Sequence, residues 1–127
     1  MKTIINTPNA PAPLGPYNQA VFGGNTLYIS GQIAINPSSG DLVLDDIKSE
    51  TQQVMKNLEA VLQAAGLTFS NVVKSSIFIK NMNDFATIND VYGSFFNNAE
   101  APARETVEVA KLPKNVNVEI SMIAVRL

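Results

Sequence analysis

Asn117-Val118-Glu119-Ile120-Ser121-Met122-Ile123-Ala124-Val125 fixes the kind of sheet this chain must build. Val118, Ile120, Met122 and Ala124 are apolar at every second position, and a strand turns alternate residues to opposite faces. Ile123, Val125 and Leu127 are apolar on the other parity. A strand that is apolar on both parities is covered on both faces. Helices of the same chain can supply one cover, and a second subunit is the expected source of the other. Glu119 interrupts this strand on the parity of Asn117 and Ser121. A carboxylate there lies at the sheet margin or has a partner; if it lines a pocket, it can orient a water or act as a base.

The preceding strand is Pro102-Ala103-Arg104-Glu105-Thr106-Val107-Glu108-Val109, joined to the last by a turn at Leu112-Pro113-Lys114-Asn115. Alternation puts Arg104 and Thr106 on one face and Val107 and Val109 on the other. Of nine Lys+Arg residues only Arg104 and Arg126 are arginine, so a guanidinium on a strand is conspicuous. Its planar fork suits bidentate capture of a carboxylate or phosphate; the plainer reading is a solvated or salt-bridged edge residue. Glu119 is a candidate partner for Arg104, although alternation alone does not set the register. Glu105 and Glu108 read as solvated strand positions.

Upstream, two segments carry helical periodicity. From Asp45 to Ala65, Ile47, Val54, Leu58, Val61, Leu62 and Ala65 share one face, with Asp45 and Asp46 at the N-terminus and Gly66 just past the end. A second helix runs from about Asp84 to Asn97, capped by Asn83. On it Asn89 shares a face with Phe85, Tyr92 and Phe96, so an amide breaks an apolar stripe. Burying that amide unpaired costs about 1–3 kcal/mol, so it either bonds nearby backbone or points into a pocket. Val72 to Lys80 lies between the helices as a strand, with Val73, Ser75, Ile77 and Ile79 alternating against Val72, Lys74, Ser76, Phe78 and Lys80. Residues 7–16 hold four prolines and are extended. Tyr17–Phe22 and Thr26–Ser30 form a hairpin around Gly23-Gly24-Asn25, ending at Gly31, where a missing Cβ lets a ligand approach. Tyr17, held by Gly15-Pro16, could present a phenol at a pocket rim. With a short strand at Thr3–Ile5, the order is ββ-α-β-α-ββ. This predicts a single α+β domain over residues 1–127: a two-layer sandwich of a mixed sheet with two helices on one face.

Composition narrows the chemistry. The chain of 127 residues is 46% hydrophobic and 16% charged with net charge −2, and its basic residues are scattered, so no nucleic-acid footprint is present. There is no apolar leader at Met1–Asn6 and no run long enough to cross a bilayer, so a cytoplasmic protein is expected. With no Cys and no His, thiolate nucleophiles, Ser-His-Asp triads and the usual zinc sites are excluded. Carboxylates, Tyr, Lys, Arg, hydroxyls, backbone N–H groups and water remain, which favours reactions on already activated substrates.

Several motifs then point the same way: Gly15-Pro16-Tyr17-Asn18-Gln19-Ala20, Ser30-Gly31-Gln32-Ile33, Ala64-Ala65-Gly66-Leu67, Asn83-Asp84-Phe85-Ala86-Thr87-Ile88-Asn89, Pro102-Ala103-Arg104, and Val107-Glu108-Val109-Ala110-Lys111-Leu112-Pro113. In this combination, nearly end to end, the chain resembles the Rid (YjgF-like, reactive intermediate deaminase) family, in its enamine/imine-hydrolysing subgroup. The resemblance implies a chorismate-mutase-like fold and a homotrimer with clefts between subunits. It also implies hydrolysis of 2-aminoacrylate or 2-aminocrotonate to a 2-oxo acid and ammonia, without metal or other cofactor. By the same resemblance Arg104 clamps the substrate carboxylate and Glu119 holds the attacking water, while Tyr17, Ser30, Gly31 and Asn89 line the cleft. The family usually carries Arg-Ser-Cys where this chain has Arg104-Glu105-Thr106. If that Cys supplies only a backbone N–H and volume, Thr106 replaces it in the substrate-binding set; if the thiol matters, this chain lacks its property. Two other functions compete: a non-catalytic sensor of 2-oxo acids using the same cleft, and a ribonuclease or translation inhibitor, which the net charge and the missing His disfavour.

Overall fold

A computed structural model describes residues 2–127. Eight principal elements follow in order: β1 (Lys2–Ile5), β2 (Ala20–Gly23), β3 (Thr26–Gln32), α1 (Ile47–Ala64), β4 (Val72–Ile79), α2 (Phe85–Gly93), β5 (Ala103–Glu108) and β6 (Val118–Val125). The strands form one sheet in the order β1-β2-β3-β6-β4-β5. Only β4 and β5 run parallel, joined through α2; the other neighbours are antiparallel. The last strand is therefore central, between β3 and β4.

Val118, Ile120, Met122 and Ala124 are buried in one core with Val54, Leu58, Val61 and Leu62 of α1 and Ile88 and Tyr92 of α2. Both helices thus cover the same face, and the architecture is the α+β arrangement the sequence predicts. Asp46 caps α1 by accepting from Ser49 N at 2.7 Å, which holds its carboxyl below the usual carboxylate range. At the other end Gly66 adopts φ 76°, a left-handed conformation that glycine enters without Cβ strain.

Local chemistry reshapes several predicted elements. The second helix stops at Gly93 rather than Asn97, and Ser94 Oγ donates to Val91 O at 2.6 Å where it ends. Phe95 and Phe96 then leave the helical path and pack edge-on against Phe69, with ring centroids 5.5 and 5.2 Å away. Asn83 does not cap that helix. It lies in a 3-10 turn, Met82–Asp84, and Asp84 occupies the cap position without a side-chain bond. Residues 17–19 are not strand, because the buried Gln19 side chain is committed to the proline-rich segment. Its amide donates to Thr7 O, Ala10 O and Pro11 O, and its carbonyl accepts from Thr7 N. Two register shifts complete the picture. One, between Val72 and Lys74, leaves Val72 in the core and Val73 exposed, against the simple alternation expected there. The other falls at Ser30-Gly31 of β3, opposite Ser121.

Candidate functional site

The parallel register pairs Ser75 with Arg104 and Ile77 with Thr106. Ser75 and Ile77 are buried beneath the helices, so Arg104 and Thr106 also face the helical layer, at the sheet edge. Arg104 Nη1 donates to Asn89 Oδ1 at 2.7 Å, and its Cζ lies 5.2 Å from the Tyr92 ring centroid and 5.8 Å from that of Phe85. The amide that breaks the apolar stripe of α2 is therefore an arginine acceptor, and its two aromatic stripe-mates form the walls. Tyr92 is braced in turn, its hydroxyl donating to Ser75 Oγ at 2.9 Å. Burial pushes that phenol above its usual range, opposed by the Ser75 bond and the Arg104 charge, so the ring stays neutral. The single ion pair among the described residues joins Lys74 to Glu105 at 2.8 Å, so no carboxylate neutralises Arg104 there. Thr106 Oγ1 is buried without a hydrogen-bond partner among the described residues.

Glu119 belongs to a second cluster. It shares a shallow depression of about 330 Å³ with Tyr17, Ser30, Gly31 and Pro113. The bulge in β3 brings Ser30 and Gly31 to this position, where Ser30 Oγ donates to Asn18 O at 2.7 Å. A Cβ on Gly31 would collide with the carboxylate, lying 2.8 Å from Glu119 Cδ, so glycine leaves the space that the acid occupies. Tyr17 Oη accepts from Leu14 N at 3.1 Å, which fixes the phenol at the rim. Burial raises the Glu119 carboxyl above its ordinary range.

These clusters are back to back. Glu119 pairs with Phe78 on β4 and points away from the helices, whereas Arg104 faces them and stands on β5 with β4 between. Arg104 is therefore not the partner of Glu119 within a chain. The structure groups Arg104, Asn89 and Thr106 on one face and Tyr17, Ser30, Gly31 and Glu119 on the other. Glu105 faces the open side, where it accepts from Lys74 and Ser76; these contacts hold its carboxyl below the usual range.

Three further residues escaped the sequence reading. Pro113 lines the Glu119 depression, and Gln19 anchors the segment carrying Tyr17. Glu50 is fully buried on α1, and its signal was a charge three residues after Ile47 and four before Val54, inside the apolar stripe. No cluster of three or more His, Cys, Asp or Glu residues fit to hold a metal occurs among the described residues, and no helix there is long and apolar enough to cross a membrane.

The family model described as Endoribonuclease L-PSP matches residues 7–126. A 2-iminobutanoate/2-iminopropanoate deaminase from Dermatophagoides farinae is 53% identical over 124 residues, spanning 98% of this chain and 96% of the relative. The Escherichia coli K12 protein of the same name is 48% identical over 128 residues, spanning 99% of each. The crystal structure of a conserved Rid family protein of unknown function from Yersinia pestis superposes with a TM-score of 0.96 at 50% identity, covering 99% of this chain and 100% of that one.

Proposed function

The chain belongs to the Rid (YjgF-like) family, and we propose that it hydrolyses 2-imino acids and their enamine tautomers to 2-oxo acids and ammonia. The observation that carries this reading is a guanidinium set among an amide and two aromatic rings, with no carboxylate paired to it among the described residues. Asn89 occupies one N–H and orients the fork, leaving the others to receive the substrate carboxylate bidentately. Two relatives named for this activity, at 53% and 48% identity, support the same assignment.

The reaction needs little more than positioning. An enamine first gains a proton at C3 to become the imine, whose C2 is electrophilic. Glu119 accepts a proton from water as its oxygen bonds to C2, giving a carbinolamine. Return of that proton to nitrogen lets the C–N bond break, its electron pair leaving with ammonia, while the hydroxyl gives its proton back to Glu119 and its O–H electron pair closes the new carbonyl. Glu119 then passes that proton to the departing ammonia, which leaves as ammonium. A carboxyl whose affinity for protons is raised by burial is better matched to both transfers near neutrality than an ordinary one. No metal or cofactor enters these steps.

With Arg104 and Glu119 on opposite faces, one chain cannot bring both to one substrate, and we propose that the cleft is assembled between chains, in the homotrimer that the family resemblance implies. The open sheet face supports self-association. Ile4, Val21, Tyr28 and Ile123 stand in register across four strands, and Tyr28 is 54% exposed. The test generates 2-aminocrotonate from threonine with a dehydratase and follows 2-oxobutanoate. The intact protein should accelerate its formation over buffer, while Arg104→Ala and Arg104→Lys should each lose at least about 100-fold in kcat/KM, because an ammonium cannot reproduce the fork. No acceleration, or full activity in Arg104→Ala, would remove the reading. Saturable 2-oxobutanoate binding without turnover would point to a carboxylate sensor instead.

A further inference from the structure

We propose that Glu50 is a positioning residue for Glu119: from α1, its buried carboxylate pins the head of β6 and so fixes the wall that carries the reacting acid. This rests on the imine-hydrolase reading above. Glu50 is 0% exposed, and no cation pairs with it among the described residues. Its Oε2 accepts from Asn117 N at 2.8 Å and from Val118 N at 3.2 Å, and its Oε1 accepts from Asn117 Nδ2 at 2.7 Å. A carboxylate withdrawn from water is tolerated only when hydrogen-bonded in this way, and an apolar residue would fill the same stripe position more simply. What the acid adds is a rigid link from the helical layer to the two residues immediately before Glu119.

The turn ahead of them needs such a link. Lys114 and Asn115 are consecutive non-glycine residues in left-handed conformations, φ 54° and 57°. Backbone of that kind persists where its surroundings over-determine it. From the opposite side Lys80 Nζ donates to Asn115 Oδ1 and Lys80 N to Asn117 O, both at 3.0 Å. The strained turn is thus held at its C-terminal end by Glu50 and Lys80 together, and Pro113, at its start, shares the depression with Glu119. Releasing the Glu50 clamp frees Pro113 and Glu119 together while leaving Arg104, on the other face, untouched.

The experiment compares intact protein, Glu50→Ala and Glu50→Gln in the coupled 2-aminocrotonate assay, with circular dichroism and sedimentation verifying fold and assembly. Glu50→Ala should lose about tenfold or more in kcat while KM moves less than about threefold, since a displacement near 1 Å is enough to impair positioned chemistry. Glu50→Gln, whose carbonyl oxygen still accepts both backbone bonds, should recover most of the kcat; a purely structural contribution would not divide kcat from KM in this way. If Glu50→Ala does not fold, Asn117→Ala removes one of the three bonds and keeps the backbone pair, and a several-fold loss of kcat at unchanged KM is expected. Intact kcat in a folded Glu50→Ala, or in Asn117→Ala where Glu50→Ala is unfolded, overturns the inference, as does a parallel loss of kcat and substrate affinity. Absence of turnover by the intact protein instead overturns the hydrolase reading and takes the inference with it.

Discussion

Thr106 and Glu119 both carry polar atoms at an energetic disadvantage, for different reasons. The Thr106 hydroxyl is buried and unpartnered among the described residues, on the face of β5 that also presents Arg104. Thr106→Val keeps the shape and removes the unmet desolvation, so chemical denaturation should show a gain of about 1 kcal/mol. If substrate uses that hydroxyl, KM should rise in the same variant. Glu119 is raised by burial, so the folded state holds a proton that the unfolded chain has already released. Its ionisation therefore subtracts stability as pH climbs from the ordinary carboxylate range through the raised value, and subtracts nothing below that range. Glu119→Gln should accordingly melt higher than the intact protein at neutral pH, with the difference closing in acid, while imine hydrolysis is lost. Arg104, Asn89 and Glu119 stood out in the sequence because each breaks a pattern: an arginine on a strand, an amide in an apolar stripe, an acid in the most apolar strand. Their grouping was not legible. Parity places Arg104 relative to its own strand, and only the β4–β5 register shows that this is the helical side.

The helix α1 was legible at both ends because its punctuation is local. Asp46 caps one end by its own side chain, and Gly66 ends it in the left-handed region. A Cβ at Gly66 would meet nothing within 4 Å, so Gly66→Ala isolates the backbone term and should destabilise by about 1–2 kcal/mol in urea titration. The end of α2 was not legible, because tertiary packing of Phe95 and Phe96 on Phe69 overrides a helical pattern that continues in the sequence. The bulges in β3 and β4 escaped for a related reason. Each adds one residue to a strand beside β6, and a period-of-two reading has no place for the extra residue. The bulge at Ser30-Gly31 matters most, since it sets the backbone beside Glu119 where a Cβ would not fit.

The α+β class, the mixed sheet and the single helical layer followed from the alternation of periodicities, whereas the apolar second parity of β6 reads as a face for a second subunit and carries no hint that this strand lies at the centre of the sheet. Strand order was beyond reach, since β3 and β4 are separated by a strand from the far end of the chain. On the proposed assembly each cleft takes Arg104 from one chain and Glu119 from another. Mixing Arg104→Ala with Glu119→Gln subunits, unfolding and reassembling them at equal amounts, should then restore about one quarter of intact activity, because one cleft in four draws both good residues. Either variant alone should remain inactive, and a mixture no better than its components would show that the cleft is not shared. The back-to-back placement of Arg104 and Glu119 has one more consequence. On the proposed assembly a lone chain carries only half of each cleft, so activity per chain should fall on dilution as the chains separate, and output would follow the fraction associated as well as the amount of protein.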